Sequence, residues 1–94
     1  PEPAPTLPQA RSIALQSLIF LSQDDERMGR FLALTGVDPA DLRSLSQETG
    51  FQLALLDHFA TDERLLLDFA SAEGLEPQQI LAARLSLGGD PPSS

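Results

Sequence analysis

The sequence predicts an all-α protein, a compact bundle of about six short helices. Its apolar residues are mainly Leu and Ala, which favour helices, whereas β-branched residues, which favour strands, are scarce. Capping residues and glycines divide the chain into segments of helical length. The 94 residues suit one domain. We therefore expect a single helical domain over residues 6–88, between a disordered Pro-rich N-terminus (1–5) and a disordered tail (89–94).

The first two helices carry clear start signals. Thr6 and Gln9 have the spacing of a capping box, which predicts a first helix that ends near Ser22. Residues 18–21 are apolar on every side, and this pattern predicts a buried, central helix. Ser22 or Asp24 caps a second helix, which ends at Gly36. The inward stripe of the second helix, at helical spacing, is Met28, Phe31, Leu32 and Thr35.

Four more helices are predicted from the same chemistry. Each opens at a capping residue, a proline or directly after a glycine, and most end at the next glycine. The predicted boundaries are Asp38-Pro39 to Gly50, Phe51 to Ala60, Thr61 to Gly74, and Glu76-Pro77 to Gly88.

The two halves of the chain share this layout. A shift of 38 positions superposes identical residues, and it places His58 where the first half has Phe20. We interpret the domain as two similar three-helix units, residues 13–50 and 51–88, although shared capping chemistry alone accounts for several of the matches. The identical pairs are Leu15 with Leu53, Leu18 with Leu56, Asp24 with Asp62, Phe31 with Phe69, Gly36 with Gly74, Pro39 with Pro77, and Gly50 with Gly88.

Charge narrows the possible partners. The formal net charge is −8, and all six basic residues are Arg. Such a surface repels nucleic acid and anionic membranes on average, so neither is an expected partner. No apolar run approaches the ~18 residues of a membrane span, and the N-terminal residues lack the basic region of a secretory signal. Cysteine is absent, which excludes disulfides and thiol chemistry. We expect a cytoplasmic protein.

Two turns resemble a helix-turn-helix. Gly36 and Gly74 each end one helix, and an aliphatic residue and a further helix follow. The helix after each turn carries one arginine, Arg43 or Arg84, which supplies few phosphate contacts. A helix-turn-helix-like nucleic-acid protein therefore remains an alternative, as does an acidic mimic of nucleic acid.

No enzyme, metal or cofactor site is predicted. The acids at 24–26 and 62–63 lack the spacing of a calcium loop and suit helix N-termini instead. His58 follows Asp57 directly, but adjacent helical residues do not face each other. We expect a partly buried His58 that serves packing, because no partner for general base catalysis is visible.

The fifth and sixth helices carry more leucine than a single core-facing stripe requires. The inward stripe of the fifth helix is Leu66, Phe69, Ala70 and Glu73. Leu65 and Leu67 flank this stripe, and Leu81 and Leu85 lie off the main face of the sixth helix, whose inward residues are Ile80, Ala83 and Leu87. Either the fifth helix is buried between neighbours, or Leu65, Leu67, Leu81 and Leu85 form a surface for a protein partner or a second copy. We favour an interaction or regulatory module.

Residues 24–43 and 62–70 also carry a resemblance. The segment 31–36, Phe-Leu-Ala-Leu-Thr-Gly, and its spacing to Asp-Leu-Arg at 41–43 are its most specific part. Over residues 10–87 the chain resembles an alphaproteobacterial family of small helical proteins classed only as a domain of unknown function. The resemblance implies a bacterial, cytoplasmic, all-helical protein and assigns no catalytic residue, ligand or partner.

Overall fold

Six α-helices and one 3₁₀ turn make up the fold. The computed structural model describes residues 5–89, and no strand occurs among them. The all-α prediction is confirmed, while most of the two termini predicted to be disordered lies outside the described residues. The helices are α1 (Leu7–Ser22), α2 (Asp25–Thr35), α3 (Leu42–Leu45, after a 3₁₀ turn at Pro39–Asp41), α4 (Thr49–Ala60), α5 (Glu63–Glu73) and α6 (Pro77–Ser86).

Local capping chemistry sets most helix ends, as predicted. Thr6 Oγ1 accepts the Gln9 amide at 3.3 Å, and Gln9 Oε1 accepts the Thr6 amide at 2.8 Å. Asp24, rather than Ser22, caps α2 through two backbone amides. Gly36 and Gly74 end α2 and α5 with φ of 72° and 68°, a left-handed conformation that glycine adopts without a Cβ clash.

Three predicted boundaries are wrong. The third helix ends at Leu45 rather than at Gly50. The fourth begins at Thr49 rather than at Phe51, so Gly50 lies in the first turn of α4. Thr61 ends α4, since its amide donates to the Asp57 carbonyl at 3.1 Å, and it is therefore not the cap of α5. Asp62 takes that role by accepting the Leu65 amide at 3.1 Å. A carboxylate caps a helix at least as well as a hydroxyl, and Asp62 directly precedes the first residue of α5.

The centre of the core is a cluster of phenylalanines. The Phe59 ring lies 6.2 Å from Phe20 and 5.0 Å from Phe69, measured between centroids. The wider core also contains Leu21, Phe31, Leu55, Leu56 and Ile80. α1 contacts α2, α4 and α6, so it is central in the bundle.

Three residues predicted to face inward do not. Thr35 and Glu73 occupy the last turns of α2 and α5 and are exposed. Ile19, in the stretch of α1 that is apolar on every side, is 57% exposed. The neighbouring helices cover one arc of α1 near its end, and Ile19 lies outside that arc.

Two ring contacts between the halves occupy equivalent positions under the 38-residue shift. Phe20 of α1 packs on Phe69 of α5 at 5.4 Å, and His58 of α4 packs on Phe31 of α2 at 5.2 Å. The 38-residue shift converts the first pair into the second with the roles of the halves exchanged. The likeness ends at the third helices, because α3 has 4 residues and α6 has 10.

Candidate functional site

A groove of about 1110 Å³ lies along the surface of the packed helices α1 and α6. Ser86 Oγ, at the end of α6, donates to the Pro5 carbonyl ahead of α1 at 3.0 Å, so the two helices run antiparallel. Polar side chains outnumber apolar ones along the groove. The lining residues are Pro5, Gln9, Ser12, Ile13, Gln16, Leu75, Glu76, Gln78, Gln79 and Ala82.

The amides of the groove divide into two kinds. Gln9 and Gln79 are fixed, because each side-chain oxygen accepts a backbone amide at the start of its helix, at 2.8 and 2.7 Å. Gln16 and Gln78 make no side-chain hydrogen bond to any of residues 5–89. The groove therefore offers adaptable donors and acceptors beside a preformed wall.

Both helices also carry exposed apolar residues one turn from residues that line the groove, although these residues are not part of the lining. Ile19 follows Gln16 by three residues, and Leu81 follows Gln78 by three, so each lies about one helical turn from a groove residue. Leu85 continues the Leu81 row one turn further. Leu81 and Leu85 are 38% and 42% exposed.

The structure separates the four leucines that the sequence singled out. Leu65 is only 8% exposed and belongs to the core, so its assignment to a partner surface is wrong. The reason is that α5 packs against both α4 and α6, which buries a wide arc containing Leu65 and Leu66. Leu67 is 47% exposed but lies on α5, outside the groove. Leu81 and Leu85 are exposed on α6.

A second, smaller cleft of about 480 Å³ lies beside His58. Its other lining residues are Arg30, Leu34, Thr61, Asp62, Glu63 and Arg64. The His58 ring is half-buried and packs edge-on against Phe31 and Phe59, as expected for a packing histidine. Burial lowers the pKa of His58, and Arg30 adds to this effect while Asp62 opposes it.

Three of the acidic residues considered for catalysis or metal binding, Asp24, Asp57 and Asp62, have structural partners. Asp57 binds the Arg84 side chain rather than His58. Asp24 and Asp62 cap helices. Among residues 5–89, no group of three His, Cys, Asp or Glu side chains is arranged to hold a metal ion.

The helix-turn-helix resemblance weakens in three dimensions. In the first half, the segment after the turn is a 3₁₀ turn followed by the four-residue α3, which is too short for a recognition helix. In the second half, Arg84 of α6 is engaged by Asp57. The outward side of α6 carries Leu81 and Leu85 instead of basic residues.

Sequence reasoning did not find either cleft. The signals available were the spacing of Gln9 and Gln16, seven residues apart and hence on one helix face, and the adjacent Gln78 and Gln79. Neither signal shows that α1 and α6 are neighbours.

No helix within residues 5–89 has both the length and the apolar character required to cross a membrane.

A family model matches most of the chain. Residues 8–90 match the model of the DUF3572 family, whose description is a protein of unknown function. The match covers most of the 94 residues, so the chain belongs to this family. The resemblance to a family of unknown function is thereby confirmed. No curated protein and no solved structure matches the chain.

Proposed function

We propose that this DUF3572 member is a protein-interaction module that binds an amphipathic helix of another protein in the α1–α6 groove. The proposal is carried by a groove along two antiparallel helices, together with three exposed apolar residues, Ile19, Leu81 and Leu85, each about one helical turn from a residue that lines the groove. A helix laid in a groove uses apolar anchors at helical spacing, and polar groups around them fix its orientation.

The composition of the groove favours a peptide over a small molecule. Small-molecule sites bury most of the ligand among apolar walls with a few convergent polar groups. Here the walls carry several glutamine amides, and the volume of about 1110 Å³ exceeds the usual range. Gln16 and Gln78 suit the varied polar groups along the edges of a helix.

Charge selects the kind of partner. The net charge of −8 opposes binding of a second copy and favours a helix whose polar edges carry Arg or Lys. The same charge opposes DNA, so the helix-turn-helix alternative receives no support from the groove. An acidic mimic of nucleic acid would also bind a basic partner, but such binding does not require apolar anchors.

We place the proposed helix binding in the bacterial cytoplasm and assign the protein no catalytic role.

Site-specific photocrosslinking in the native host tests the proposal. A photoreactive side chain at Gln16 or Gln78 should yield discrete crosslinked products, whereas one at the exposed Gln47, outside the groove, should not. Leu81→Ser with Leu85→Ser should abolish the products while changing the unfolding free energy by less than about 1 kcal/mol, because both side chains are surface positions.

The crosslinked peptide identifies the occupant. An amphipathic sequence with basic flanks supports the proposal. A product of twice the 10.1 kDa chain mass would show that a second copy fills the groove instead. Equal products from all three positions, or products that persist in the Leu81 and Leu85 variant, would contradict the proposal.

A further inference from the structure

We propose that the cleft beside His58 is an anion site that binds a phosphate group through Arg30 and Arg64. This site is separate from the α1–α6 groove, with which it shares no lining residue. The two arginines come from different helices, α2 and α5, and both line the cleft.

Neither Arg30 nor Arg64 forms an ion pair with the acidic residue one helical turn away. Within residues 5–89, neither guanidinium has a carboxylate oxygen within 4.0 Å. Glu26 precedes Arg30 by one turn, and Asp68 follows Arg64 by one turn, spacings that commonly give ion pairs. Asp68 is engaged elsewhere, since it binds Arg27 at 3.1 Å. Arg30 and Arg64 therefore place two guanidinium groups without an ion-pair partner among residues 5–89 beside one cleft.

The equivalent place in the first half shows what the cleft lacks. There the guanidinium of Arg27 lies over the Phe20 ring at 4.7 Å and between the carboxylates of Asp24 and Asp68, at 4.0 and 3.1 Å. A central cation thus joins two anionic groups on that side of the molecule.

The 38-residue shift removes the central cation on the His58 side. Leu65, which is buried, stands in place of Arg27, and His58 replaces Phe20. The position of Asp68 is taken by Arg30, while that of Asp24 keeps its charge as Asp62. Arg30 therefore has no counterpart of the pairing between Arg27 and Asp68, and an anion in the cleft would supply the missing partner for it and for Arg64.

The chemistry of the lining points to phosphate. Guanidinium groups bind phosphate oxygens through paired N–H donors, and two of them match a doubly charged group. The His58 ring can donate one further N–H. Asp62 is committed to the cap of α5, and Glu63 is exposed, so both carboxylates lower the affinity without occupying the arginines. A volume of about 480 Å³ accommodates a phosphate with a small attached group.

The single histidine makes the test direct. Inorganic phosphate, pyrophosphate and phenyl phosphate are titrated separately into the protein at constant ionic strength, and the His58 ring signals are followed by NMR. We expect saturable shifts with phosphate compounds and none with chloride. Tighter binding of phenyl phosphate than of inorganic phosphate would indicate an esterified ligand, and the reverse would indicate the free ion.

Arginine variants supply the control. Arg30→Gln or Arg64→Gln should each weaken binding roughly tenfold, as expected for loss of one charge-assisted contact, and the double variant should abolish it. Arg43→Gln makes the same charge change on α3, away from the cleft, and should bind like the wild type. Equal weakening by Arg43→Gln, or saturation that survives in the double variant, would overturn the proposal.

Discussion

The His58 side chain packs against the core as an aromatic ring and can also take up a proton. Its ring fills the place that Phe20 holds in the other half and contacts Phe31 and Phe59 at right-angle geometry. Burial disfavours the charged ring, so the pKa of His58 in the folded protein lies below its usual value. In the unfolded chain the ring takes up a proton near pH 6.5. The neutral ring therefore stabilises the fold above that pH, and this contribution is lost as the pH falls through the lower pKa of the folded state.

Replacing His58 with phenylalanine should remove this dependence. The ring contacts with Phe31 and Phe59 persist in His58→Phe, while the proton uptake on unfolding disappears. We expect the unfolding free energy of the wild type to fall between pH 7.5 and 5.5 relative to that of the variant, measured by urea denaturation at both pH values. A wild type and variant with parallel pH profiles would show that His58 titrates alike in both states.

The individual helices follow local rules, and α2 shows their limits. Asp24 starts it, Gly36 ends it, and both roles are legible in the sequence because capping involves groups only two to four residues apart. Gly29 lies in the middle of α2, where glycine is unfavourable for a helix. No close helix crossing requires it, since a Cβ at Gly29 would meet no atom within 4 Å.

Two glycines of α2 should therefore respond oppositely to alanine. Gly29→Ala should raise the unfolding free energy by about 0.5–1 kcal/mol, because alanine loses less backbone entropy in a helix and meets open space. Gly36→Ala should lower it by about 1 kcal/mol, because Gly36 has a φ of 72°. Thermal or urea unfolding of the three proteins checks both signs. A destabilised Gly29→Ala would mean that a neighbour does approach α2.

The whole bundle decides which leucines are core. Leu65, Leu66 and Leu67 are consecutive, and periodicity assigns only Leu66 to the inward stripe. Packing of α5 against both α4 and α6 widens the buried arc to include Leu65 but leaves Leu67 exposed. The ends of α2 and α5 were predictable because Asp24, Asp62, Gly36 and Gly74 lie next to the helices they cap. The groove was not, since it depends on which helices become neighbours.

Serine substitutions at Leu65 and Leu67 should separate core from surface. Leu65→Ser should lower the unfolding free energy by about 3 kcal/mol or more, because it removes a buried side chain and buries a hydroxyl. Leu67→Ser should change it by no more than about 0.5 kcal/mol. Chemical denaturation of both variants measures the difference. Similar losses in the two would show that Leu67 is covered as well, by a second copy or by another part of the chain.

The sequence by itself determined the helical class, most helix ends and the net charge of −8, because these depend on composition and on contacts within a few residues. Tertiary structure alone decided that Leu65 is buried and that Ile19 is exposed. It also decided that Asp68 pairs with Arg27 rather than with Arg64. Each of these outcomes depends on groups brought together from distant parts of the chain, and no local pattern records which helices will pack against each other.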